Sequence, residues 1–126
     1  MSQPDMVTET TLEEILAAFN RHDLDAIMAF FAEDCTFDMP PGLGPRGTRF
    51  IGKDQVREGL ACRFAGIPDV HYGEDRHFVC GSRGVSEWRL TGTTSSGTRV
   101  DVRGCDLWEF VEGKVVRKDS YWKIVE

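Results

Sequence analysis

The stretch Arg103 to Trp122, RGCDLWEFVEGKVVRKDSYW, holds the side chains best suited to chemistry. It reads as two strands joined by a tight turn at Glu112-Gly113. With a period of two, Gly104, Asp106, Trp108 and Phe110 fall on one face of the first strand, together with Val100 and Val102. Val116, Lys118, Ser120, Trp122 and Ile124 fall on one face of the second. A carboxyl among bulky apolar neighbours loses solvation, which raises its pKa and lets it act as a general acid or hydrogen-bond donor. Asp106 is therefore the first candidate catalytic residue, and Lys118, opposite it across a tight turn, is the second. An ion pair between them would keep Asp106 charged and favour a base or electrostatic role. Each has a plainer reading: Asp106 as a structural carboxylate, Lys118 as a rim lysine with its head in water.

Trp88, Trp108 and Trp122 are three indoles on three strands. An indole brings a large apolar area and one N–H donor, which suits a pocket wall for a flat or ring-shaped ligand. Core packing or a dimer interface would use the same residues. Phe37 and Met39, on an earlier strand, complete the expected substrate-binding set of Phe37, Met39, Trp88, Trp108, Ser120 and Trp122. His22 falls in a turn and is expected to be solvated. His71 and His77 share one strand face with Asp75 between them. They read as an exposed strand edge in the charged GEDR neighbourhood, or as a rim acid/base pair. That pairing is too sparse for a metal site, so none is expected. Glu87 and Arg89 take the face opposite Trp88. Cys35, Cys62, Cys80 and Cys105 form no C-x-x-C pair and read as reduced thiols.

These side chains need a sheet and something to cover it. Residues 1–8 read as a loose tail, and 9–126 as a single domain. Thr11 and Glu14 give a capping box for a helix carrying Leu12, Ile15, Leu16 and Phe19. Asp23 caps a second helix with Leu24, Ile27, Met28 and Phe31 as its buried stripe. Cys35–Met39 is a short strand ended by Pro40-Pro41, followed by a loop over 40–49 that is a lid or a connection. Gly52-Lys53-Asp54 leads into a third helix that ends at Gly66 and Pro68. Strands then follow at Val70–Cys80, Val85–Thr93, Arg99–Phe110 and Lys114–Val125, separated by Gly-rich turns. The order α-α-β-α-β-β-β-β implies an α+β domain with its helices on one face of a curved antiparallel sheet.

The chain has 126 residues, enough for one core. Its net charge is -6, and its fifteen basic residues form no run or stripe. Nucleic acid and anionic membrane surfaces are thus unexpected partners. No apolar run reaches a membrane span of about 20 residues, and MSQPDMVTETT has no signal-peptide pattern; a cytoplasmic location is expected.

The segments AAFNRHDLDAIMAFFAEDCTFDMPPG, GKDQVREGL, GTTSSGTRV and EGKVVRKDSYW resemble the SnoaL-like branch of the NTF2-like superfamily, over about residues 9 to 125. That resemblance implies a cone of three N-terminal helices on a curved antiparallel sheet, and a homodimer through the sheet face away from the helices. Against the ketosteroid isomerase pattern, the tyrosine position falls on Ile15, the base position on Met39, and the protonated aspartate position on Asp106. Against the terminal D-Y-W motif of the epoxide hydrolase and cyclase branches, Tyr121 and Trp122 match while Ser120 holds the aspartate position. The implied function is cofactor-free acid/base chemistry on a small, apolar, ring-containing molecule. Isomerisation, dehydration, aldol-type cyclisation and epoxide hydrolysis all fit. The alternatives are a non-catalytic binding protein for a small hydrophobic ligand, and a dimeric interaction domain.

Overall fold

The computed structural model describes residues 6–126. Helix α1 (Glu9–Asn20) and helix α2 (Leu24–Ala29) lead into β1 (Phe31–Gly44) and β2 (Gly47–Ile51). Helix α3 (Lys53–Gly66) follows, then β3 (His71–Cys80), β4 (Arg83–Thr93), β5 (Arg99–Val111) and β6 (Lys114–Trp122). The strands form one sheet in the order β2-β1-β6-β5-β4-β3. Every pairing is antiparallel except β1 with β6, which is parallel. The three helices pack on one face of the sheet, α1 against β3 and α3 against β1 and β2. This is the expected α+β cone. None of the described helices is long and apolar enough to cross a membrane.

The helix signals hold with one shift. Thr8, not Thr11, is the N-cap of α1, and the capping box closes between Thr8 and Thr11. The expected loose tail therefore ends before Thr8, and residues 1–5 lie outside the described residues. Asp23 caps α2 by accepting from the Ala26 N–H. Phe31 belongs to β1 rather than to the α2 stripe, yet it is buried with Leu12, Ile15, Phe19 and Ile27 in the same core. His22 is half-buried rather than free in solvent. Its ring bonds the Val70 carbonyl and stacks on Phe64, with centroids 4.7 Å apart.

The segment expected as a loop over 40–49 is a strand pair. Pro40-Pro41 does not end β1, because the two prolines fall where the β1–β2 register shifts, between Met39 and Gly44. A missing N–H costs nothing at a bulge. The pair closes at Gly47, whose φ is 69° and where an added Cβ would lie 1.9 Å from the Met39 carbonyl oxygen. Asp38 and Arg49 pair across the two strands, and the guanidinium donates to both carboxylate oxygens at 2.7 and 2.8 Å. Asp38 is 1% exposed, and the Arg49 hydrogen bonds hold its carboxyl below the usual aspartate range.

Two bulges set which side chains face the helices. In β6 the pairing passes from Glu109–Arg117 to Phe110–Val115, so Val116 is the extra residue. Val115, not Val116, takes the core position. In β3 the register shifts between Gly73 and Arg76, where Glu74 has a φ of 49°. His71 and His77 consequently do not share a face. His77 pairs with inward Ser86, while His71 is exposed.

Asp38→Ala is expected to lower unfolding free energy by about 2–3 kcal/mol at neutral pH, because Arg49 and Arg117 lose their buried counter-charge. The Asp38 pKa is depressed in the folded state. Its contribution is thus complete above the ordinary carboxylate value and vanishes as pH falls through the folded one. Urea unfolding of wild type and variant should therefore converge in strongly acid solution.

Candidate functional site

The sheet register brings distant polar residues into one row on the inner face. Ser86 pairs with Asp106, Asp106 with Ser120, and Trp108 with Lys118. Paired residues share a face, so all of these point toward the helices. Asp106 is the centre of the row. Its Oδ1 accepts from Lys118 Nζ at 2.8 Å and from the Ser120 hydroxyl, and its Oδ2 accepts from Trp88 Nε1 at 2.9 Å. Lys118 Nζ also donates to Ser120 Oγ at 2.7 Å, so lysine, serine and aspartate form a closed triangle. The Lys118 and Asp106 side chains are 4% and 3% exposed. Lys118 is not a rim lysine.

An aromatic box holds the lysine head. Its Nζ lies 4.6 Å from the Phe37 ring centre, 5.4 Å from that of Phe19 and 5.7 Å from that of Trp108. Burial pushes the Lys118 amine below the usual lysine range, and the Asp106 carboxylate opposes that shift without cancelling it. The cluster is thus a buried ion pair that stays together because every polar atom has a partner.

Trp88 reaches Asp106 because β5 has no side chain at Gly104. A Cβ there would lie 2.7 Å from the Trp88 ring and 2.4 Å from the Tyr121 carbonyl oxygen. The indole also meets Tyr72 edge-on at 5.1 Å and Trp122 at 6.5 Å. Burial pushes the Tyr72 hydroxyl well above the usual phenol range.

A second polar chain adjoins the first. Trp108 Nε1 donates to Ser86 Oγ at 3.0 Å, and Ser86 Oγ lies 2.8 Å from His77 Nδ1. His77 Nε2 lies 2.7 Å from Asp75 Oδ2. A carboxylate can only accept, so Nε2–H goes to Asp75; in the neutral ring Nδ1 is then the acceptor and the serine hydroxyl donates to it.

The β1–β6 ladder runs to Asp38–Asp119, and beyond it the β1–β2 arm diverges from the end of β6. A cleft of about 270 Å³ fills the gap, lined by Met39, Ser120 and Trp122 from the inner face and by Asp38, Arg117 and Asp119 from the outer one, among others. Ser120 is the member of the Asp106 cluster that borders it. The structure therefore brings Asp106, Lys118, Ser120, Trp88, Trp108 and Phe37 together, and places Met39 and Trp122 at the cleft. Asp119 faces away, as strand parity requires, and bonds Arg117 at 3.0 Å. Arg89 lies on that outer face too, paired with Asp101 and Glu74. Ser86, His77 and Tyr72 were not singled out together by sequence, because only register across a bulged sheet aligns them. Among the described residues no three His, Cys, Asp or Glu side chains converge on a point.

Residues 12–118 match the model of the SnoaL-like domain, and the chain belongs to that family. No curated protein matches it. Among solved structures it is similar to a candidate polyketide cyclase from Pseudomonas putida, with 20% identity, 94% of each chain covered and a TM-score of 0.83. An NTF2-like protein of unknown function from Burkholderia pseudomallei is 24% identical, covering 98% of this chain and 92% of that one, with a TM-score of 0.81. TerC, co-crystallised with polyporic acid, is 21% identical over 89% of this chain and 88% of its own, with a TM-score of 0.75. At these identities the likeness establishes the NTF2-like fold.

Lys118→Met is expected to cost about 3–5 kcal/mol, since it leaves Asp106 buried without a counter-charge, whereas Asp106→Asn/Lys118→Met should fall within about 1–2 kcal/mol of wild type. The folded lysine value lies below the ordinary 10.5, so the unfolded chain binds more protons between the two values. Wild-type stability should rise with pH across that window, and the double variant should lack the rise. Denaturant titrations across the alkaline range read both effects. Gly104→Val should displace Trp88 from Asp106, visible as a red-shifted tryptophan emission with loss of stability.

Proposed function

We propose that this chain is a small-molecule enzyme doing cofactor-free acid/base chemistry on a small, largely apolar, ring-containing substrate. The observation that carries the reading is the Asp106–Lys118–Ser120 triangle, buried in an aromatic box and bordered by a cleft. A substrate oxygen entering by the cleft meets Ser120. The Ser120 hydroxyl gives its proton to that oxygen and takes one from Lys118, whose buried ammonium parts with a proton more readily than a solvated one. Asp106, which loses the Ser120 hydrogen bond as that proton moves, takes the proton that leaves a substrate carbon. Trp88, Trp108 and Phe37 form the apolar wall, with Met39 and Trp122 at the entrance. Isomerisation, dehydration, aldol-type cyclisation and epoxide hydrolysis all use this proton traffic, and the membership in the SnoaL-like family supports the general kind.

A second reading is a non-catalytic binding protein. It is favoured by one observation: three donors already surround Asp106, which is how a static pocket holds a carboxylate. The homodimer through the outer sheet face belongs to the same proposal, with exposed Tyr121 lying on that face among the Arg117–Glu109 and Arg89–Asp101 pairs. Light scattering at twice the chain mass would support it, and the single-chain mass would end it.

Turnover assays on ring-bearing enones, hydroxyketones and epoxides test the main reading. Asp106→Asn should lower kcat by about 10²–10⁴-fold on any substrate the wild type turns over. Full activity in that variant would refute the assignment. Tight binding by wild type without turnover would decide for the binding protein.

A further inference from the structure

Charge in the interior does not balance at the Asp106 cluster alone. Asp106 and Lys118 neutralise one another at 2.8 Å. Arg63, on the last turns of α3, adds a third charge. Its guanidinium carbon sits 4.4 Å from the centre of the Trp122 ring. The half-buried guanidinium lies beside the Tyr72 hydroxyl, and its charge disfavours a second positive charge on Lys118. Among the described residues no carboxylate pairs with it, although the other two partly buried arginines, Arg49 and Arg117, pair with one and three. Trp122 in turn lines the cleft beside Ser120 and packs on Trp88, which bonds Asp106.

We infer that Arg63 is the specificity-determining residue of this site and that its ligand is an anion. The class is a ring compound bearing a carboxylate or an ionised enol, with its ring against Trp122 and its charge on the Arg63 guanidinium. The inference rests on the proposed site and narrows its substrate class. A guanidinium over an indole face makes a cation–π contact, and beyond the donor directed at the Tyr72 hydroxyl it keeps N–H groups for another partner. A carboxylate takes two of those donors in parallel, a stronger and directional interaction. A neutral ring of the same shape gains only the apolar contacts.

The test compares 2-naphthoate with 2-naphthamide, two flat bicyclic probes that differ in charge. Binding to the full chain is measured by calorimetry at low and high salt. Wild type should bind naphthoate at least about 10-fold more tightly than naphthamide, and Arg63→Gln should reduce that ratio to near one while keeping naphthamide affinity. Arg63→Lys should retain part of the preference, and its melting temperature guards against a folding defect. Equal affinity of wild type for the two probes, or an unchanged ratio in Arg63→Gln, would overturn the inference. In that case an undiminished loss of turnover in Asp106→Asn would leave the acid/base reading standing. If neither probe binds wild type below about 1 mM, the anion inference and the ring-binding site fall together.

Discussion

The inner face of this sheet is built around one buried ion pair, Asp106 with Lys118. Such a pair is tolerated in an apolar interior only if both charges are matched and their remaining hydrogen-bonding capacity is filled. Ser120 and Trp88 fill it on the carboxylate, and Ser120 with three aromatic faces does so for the ammonium. The demands of the pair then spread outward. Trp88 must reach across β5, so position 104 must be glycine-sized. Trp108 must stand beside the lysine, so its indole N–H needs Ser86, and Ser86 needs His77. The polar inner row thus follows from satisfying one pair of charges.

The sheet geometry decides where those residues can stand. A strand alternates its faces by two, so one extra residue reverses the assignment of all that follow. The β6 bulge at Val116 lets Val115 and Lys118 both face inward. The β3 bulge turns His77 inward although His71 faces out. On the opposite face the same alternation gathers Asp38, Arg49, Arg117 and Asp119 into a separate set of ion pairs, which ties the β1–β2 arm to the sheet. The arm in turn forms one wall of the cleft by Ser120. Catalytic candidates and cleft are therefore products of the same strand irregularities.

Sequence alone carried the fold far and the site part of the way. Helix caps, the Glu112-Gly113 turn and the period-two pattern around Asp106 are local signals, and they placed α1 to α3 and β3 to β6 within a few residues. The strand β2 escaped because Pro40-Pro41 reads as a stop, and nothing local reveals that the prolines occupy a bulge. Asp106 and Lys118 were legible as neighbours because a two-residue turn leaves little freedom of register. Their actual relation is diagonal: Ser120 stands opposite Asp106 and Lys118 opposite Trp108. Contacts between strands far apart in the chain, such as Trp88 with Asp106 or His77 with Ser86, depend on counting residues through bulges. A propensity or parity argument has no way to count these. The guanidinium of Arg63 was unreadable for another reason, since its meaning lies in having no carboxylate partner among the described residues.

Lys118 is a buried amine whose proton affinity is lowered by desolvation and held up by Asp106. An NMR titration of the Lys118 side-chain ¹³Cε and ¹⁵Nζ resonances measures this directly. The account predicts a midpoint below the ordinary lysine value of 10.5 in wild type, and a still lower one in Asp106→Asn, where the carboxylate no longer favours the charged form. A wild-type midpoint at or above 10.5, or one that rises when Asp106 is replaced, would contradict it.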